Sequence, residues 1–87
     1  MNIEQLLLLL DWSSAPPNAQ WWAVDRDGRA WWYAQRPGLR PGGDGWVDNG
    51  GGFWRGEGTQ FDDPEHYWIL AEHWQESLQQ RPGKNHE

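Results

Sequence analysis

The sequence predicts a small α+β domain: an antiparallel sheet of about three strands with an N-terminal and a C-terminal helix. Three observations carry this expectation. Residues 21–33, WWAVDRDGRAWWY, hold two aromatic runs about an Asp-Gly turn signal. Residues 61–80 hold an Asp-Pro helix start followed by apolar residues at helical spacing. Five leucines, Leu6 to Leu10, follow a capping signature at the N-terminus. At 87 residues the chain is read as one domain, 1–87, with a small stability margin.

The apolar supply decides what the core must be made of. Leu, Ile, Val and Met total 13, and seven of these lie in the first ten residues. Only Val24, Leu39, Val47, Ile69, Leu70 and Leu78 remain for the other 77 positions. Aromatics also number 13, nine of them Trp. A buried aromatic removes about 150–250 Å² from water, so most of the hydrophobic driving force must come from indole.

Residues 1–10 suit a short helix. Asn2 can cap it, and Gln5 stands at the capping-box position. Ile3, Leu6, Leu7 and Leu10 fall on one face, while Leu8 and Leu9 point elsewhere. Such an element needs cover on two sides, from its own domain or from a second subunit. A strand is the competing reading. As a leader, MNIEQLLLLL lacks a basic start and has too short an apolar run, and it is far too short to span a bilayer.

Residues 11–19 form a turn-rich connector, since Pro16 and Pro17 forbid helix. Residues 20–35 read as a hairpin. A two-residue loop at Asp27-Gly28 sets Trp22 opposite Tyr33; a three-residue loop sets Trp22 opposite Trp32 and Trp21 opposite Tyr33. Either way each face carries at least two large aromatics, so both faces need a cover. Residues 36–52 hold seven of the eleven glycines and read as a long flexible loop, anchored by Trp46-Val47. Phe53-Trp54-Arg55 reads as a third strand. Asp63 can cap a helix over 64–79 that begins at Pro64, with Tyr67, Leu70, Ala71, Trp74 and Leu78 as its apolar stripe. The rival is a strand over 66–71 followed by a helical turn at 74–78. Lys84 to Glu87 read as a frayed tail.

Charge and chemistry narrow the functions. The formal charge is -6 and the pI about 4.8, which opposes direct binding to nucleic acid or to an anionic membrane. Between Gly56 and Gln80 there are six acids and no Lys or Arg, so the whole net charge lies in this segment. There is no Cys, hence no disulfide and no thiolate metal site. His66 and His73 are seven residues apart, about 10 Å along a helix, too far for one ion. Asp25-Arg26-Asp27-Gly28 opens like a calcium loop but lacks the later ligands, so no metal is expected. Ser13, Ser14 and Ser77 have no evident His partner, and no Gly-rich loop has the setting that binds phosphate. Catalysis and cofactors are therefore not expected.

Binding is the favoured class, because Trp dominates interface hot spots. The candidate binding residues are Trp21, Trp32, Trp46 and Trp54, with Glu65, Glu72 and Glu76 for a basic partner. One or two exposed indoles near the glycine loop are expected. Three alternatives stand beside this reading. The first is a Trp cage for a nucleotide or a methylated cation. The second is a proline-rich peptide binder. The third is a structural homodimer sealed through residues 3–10.

Two resemblances bear on these choices. Trp22, Gly28-Arg29, Trp32-Tyr33 and Trp46 resemble the Trp, turn, aromatic pair and second Trp of the WW domain. The proline after the second Trp and the histidine after the aromatic pair are missing. That resemblance implies recognition of proline-rich peptides. The second covers more of the chain: Trp12, Ser13, Ala15, Pro16 and Ala19, then Ala23, Asp25, Asp27, Gly28, Trp31 to Tyr33 and Pro37, then Trp74, Ser77, Leu78, Arg81 and Pro82. It is similar to a family of small uncharacterised proteins of tailed bacteriophages and prophages. The leucine-rich start and the glycine-rich middle depart from that pattern. The resemblance implies a phage accessory protein; with the Trp side chains and the acidic segment, the expected role is binding a host protein such as a defence factor, in the cytoplasm of a bacterial host. It supplies no catalytic residues.

Overall fold

The computed structural model describes residues 2–56 and 64–82. The chain is α+β, with an antiparallel sheet of four strands and two α-helices among the described residues. The strands are β1 (Trp21–Val24), β2 (Ala30–Tyr33), β3 (Gly38–Leu39), β4 (Trp46–Val47), β5 (Phe53–Arg55) and β6 (Gln79–Gln80); the helices are α1 (Ile3–Leu7) and α2 (Pro64–Glu72). The main sheet runs β5-β2-β1-β6, and β3 and β4 form a separate two-stranded ribbon.

The hairpin settles in the second register. Trp22 pairs with Trp32, Trp21 with Tyr33, and Ala23 with Trp31. The Asp25 N–H donates to the Arg29 carbonyl at 2.9 Å, which leaves residues 26 to 28 as the loop. A three-residue loop needs a left-handed residue at its end, and Gly28 supplies it at φ 88°. The Tyr67 hydroxyl from α2 donates to the neighbouring Asp27 carbonyl, so the turn lies directly under that helix.

This register sorts the aromatics onto two faces. Trp22, Val24 and Trp32 form one core with Ile3, Leu6 and Leu10 of the N-terminal segment and Leu70 of α2. Ala23 and Tyr33 form the other with Trp46 and Trp74. The expectation of a two-sided aromatic core is met, and the covers can be named. The helices close the first face. The β3–β4 ribbon and the turn at Trp74–Glu76 close the second.

The α1 capping box is formed. Asn2 Oδ1 accepts from the Gln5 N–H at 2.8 Å, and the Asn2 N–H donates to Gln5 Oε1 at 3.0 Å. Its apolar face is used within the chain, and Leu8, 85% exposed, stays outside.

Two expectations need correction. The helix over 64–79 ends at Glu72; residues 74–76 are a tight 3-10 turn and 79–80 a fourth strand on β1. A straight helix would keep Trp74 on the first face, whereas packing draws it round the β1 edge to Trp46 on the second, at 6.1 Å between ring centroids. The stretch 36–52 is not an open loop, since Leu39 pairs with Trp46. Among the described residues the main sheet has four strands, in keeping with the expected sheet of about three. The expected cap Asp63, the acids Glu57 and Asp62, and the tail Lys84 to Glu87 lie outside the described residues.

Candidate functional site

The seven expected site residues do not converge on one place. Trp32 is 1% exposed and belongs to the core, not to a surface. Its ring meets Trp12 edge-on at 5.1 Å and Trp22 at 6.5 Å. Trp46 is likewise buried: its indole N–H donates to the Val24 carbonyl at 2.9 Å and its backbone N–H to Asp25 Oδ1 at 3.0 Å. These two corrections share one cause. With so few aliphatics, the fold has nothing else to fill these positions. Trp54 pairs with Trp32 across β2–β5 and is half-buried on the first face. Trp21 is half-buried on the second face, with the Arg36 guanidinium 5.1 Å from its ring centroid.

The indole that sequence reasoning missed is Trp68. It is 71% exposed, the only one of the nine tryptophans outside the body of the protein. It sits on α2 beside Tyr67, the two rings meeting edge-on at 6.4 Å. Glu65 and Glu72, three residues before and four after, occupy the same outward stripe and are exposed. Glu76 is exposed in the following turn, where its carboxylate lies 3.1 Å from His73 Nδ1. The helical spacing 65/68/72 is legible in the sequence once Leu70 is assigned inward.

A second feature lies on the opposite sheet face. A cavity of about 180 Å³ opens between β2, β5 and the β3–β4 ribbon. Four aromatics, Trp31, Tyr33, Trp46 and Phe53, line it together with Asp25 and Asp48. Burial holds the Asp25 carboxyl above its ordinary pKa, against the pull of the Trp46 N–H, and the nearby Asp27 adds to the rise. The Trp31 indole N–H lies toward the same carboxylate but outside hydrogen-bonding geometry. Burial also raises the Tyr33 phenol, and the charges of Asp25 and Asp48 raise it further. The pocket is therefore aromatic, with two carboxylates set against one guanidinium, that of Arg40.

The segment from Trp12 to Ala19 and the segment from Trp74 to Arg81 meet in space and act as fasteners. The Arg81 guanidinium donates to the carbonyls of Ala19 at 2.8 Å and Pro16 at 3.2 Å, and lies 5.9 Å from the Trp12 ring centroid. Ser77 is fully buried and bonds to Val24, and Trp74 backs Trp46.

Among the described residues, no group of three or more His, Asp or Glu side chains is placed to hold a metal ion. No described helix is long and apolar enough to cross a membrane. The chain matches no protein family, no curated protein and no solved structure with which it was compared.

Proposed function

We propose that this chain is a non-catalytic binding protein that docks on another protein through the outward stripe of α2. The observation that carries the reading is the exposure of Trp68 between Glu65 and Glu72. An exposed indole on a rigid helix offers a large contact area with little side-chain entropy to lose. The flanking carboxylates, with Glu76 beyond them, favour a partner with a basic surface and disfavour acidic ones. The setting rests on the resemblance to small phage proteins: a phage-encoded accessory protein acting on a host factor, with a defence component as the target class, in the bacterial cytoplasm.

The test is affinity capture from bacterial lysate with wild type, Trp68→Ala and Glu65→Lys/Glu72→Lys side by side. Truncating a hot-spot indole costs about 2 kcal/mol or more, so capture should fall by about thirtyfold with Trp68→Ala. The charge-reversed variant should also lose the partner, and wild-type capture should weaken with added salt. Melting temperature should stay unchanged for Trp68→Ala, because the ring is outside the core. An identical set of captured proteins from wild type and Trp68→Ala would contradict the proposal.

A further inference from the structure

The cavity on the second sheet face serves no purpose in the α2 docking surface, which lies across the sheet from it. We propose that it is a binding site for an alkylated ammonium group. Its floor is the outward side of β2 and β5, where Trp31, Tyr33 and Phe53 come together through the cross-strand pairs Tyr33–Phe53 and Trp31–Arg55. Trp31 and Phe53 stand edge to face, 5.7 Å between centroids. Trp46 closes the inner wall, held there by its two bonds to Val24 and Asp25. Phe53, 53% exposed, forms the open rim. The walls are thus set by strand register and do not depend on a ligand to assemble them.

The chemistry of the ligand follows from the lining. Aromatic faces attract a cation through their quadrupole, most strongly where water is thinned. Asp25 and Asp48 add negative charge, which excludes an anion such as a nucleotide phosphate. A bare ammonium needs strong acceptors for three N–H groups; Asp25 and Asp48 lend one oxygen each to the backbone N–H groups of Trp46 and Gly50, and the four aromatic walls offer no acceptor of carboxylate strength. An alkylated ammonium has fewer or no N–H groups and presents methyl surface to the rings. The volume of about 180 Å³ suits one such headgroup, with the open side past Phe53 left for whatever carries it. Arg40 also lines the cavity and acts electrostatically on both Asp25 and Tyr33. It offsets one of the two carboxylates and competes with an incoming cation.

The experiment is a fluorescence titration of the full chain carrying Trp68→Phe, so that the exposed indole does not report. The probes are choline, its uncharged isostere 3,3-dimethylbutanol, and N-acetyl-trimethyllysine methylamide. Choline should give a saturable change, and the uncharged isostere should bind at least about fivefold more weakly. Phe53→Ala and Asp25→Asn, both with circular dichroism like the parent, should each weaken choline by about fivefold or more. Arg40→Gln should tighten it, an effect that a purely structural role for the cavity would not give. Binding of the trimethyllysine probe alongside choline would place the headgroup on a protein tail; binding of choline alone would make the ligand a free small molecule. No saturable change, equal binding of choline and its isostere, or indifference to all three substitutions would overturn the proposal. The outcome is independent of whether Trp68 captures a partner.

Discussion

Trp22→Ala is expected to unfold the protein or bring it close to unfolding. Trp22 is 0% exposed and sits where α1, α2 and the sheet meet. Truncating a buried Trp costs about 3–5 kcal/mol through lost transfer energy and the cavity left behind. Small domains lie toward the low end of the usual stability range of about 5–15 kcal/mol. Repacking offers little relief, because the ring beside Trp22 is another indole, Trp32, itself fixed edge-on against Trp12, and rigid rings cannot close a hole of that shape. A thermal melt followed by near-ultraviolet circular dichroism checks this. The expected result is loss of the cooperative transition, or a melting temperature lower by about 15 °C or more. A shift of only a few degrees would mean that Trp22 is not a core residue.

Ser77→Ala should have the next largest effect, through hydrogen bonding and not through volume. The outer edge of β1 is paired with β6 only at Trp21 and Trp22. Beyond that point side chains complete the ladder. The Ser77 hydroxyl accepts the Val24 N–H at 2.8 Å and donates to the Trp74 carbonyl at 2.7 Å. The Trp46 indole supplies the donor for the Val24 carbonyl. Alanine at 77 would leave the buried Val24 N–H without an acceptor, at a cost of about 1–3 kcal/mol. The melting temperature should fall by about 5–20 °C, and amide exchange at Val24 should speed up more than exchange at the β2 end of the sheet. Unchanged exchange at Val24 would show that the hydroxyl does not hold this edge.

These two residues mark what was legible in the sequence and what was not. The shortage of aliphatics forces tryptophan into the core, and the alternation in 21–24 and 30–33 puts aromatics on both faces whatever the register. The Asn2–Gln5 cap and the strand at 53–55 also follow from local chemistry. The hairpin register does not, because Asp27-Gly28 fits a loop of either length; the choice comes from pairing Trp22 with Trp32 under the helices. Nor does the fate of 73–80. Trp74 and Leu78 continue the helical stripe of α2 in the sequence, and only the second face, closed by Trp46, gives Trp74 a reason to leave it. The candidate site suffered most from this. Trp32 and Trp46 look like binding residues by type, but they are needed inside. Trp68 looks like one more helix aromatic, yet the spacing that turns Leu70 inward turns it outward.

The chain therefore divides its tryptophans between fold and surface, with Trp68 on the surface. Hydrogen exchange at the nine indole N–H groups, followed by nitrogen-15 NMR, tests that division most directly. Trp68 should exchange first, at the rate of an open side chain, while Trp22 and Trp32 should exchange only on global unfolding. Protection of Trp68 equal to that of Trp22, or early exchange of Trp22 and Trp32, would contradict it.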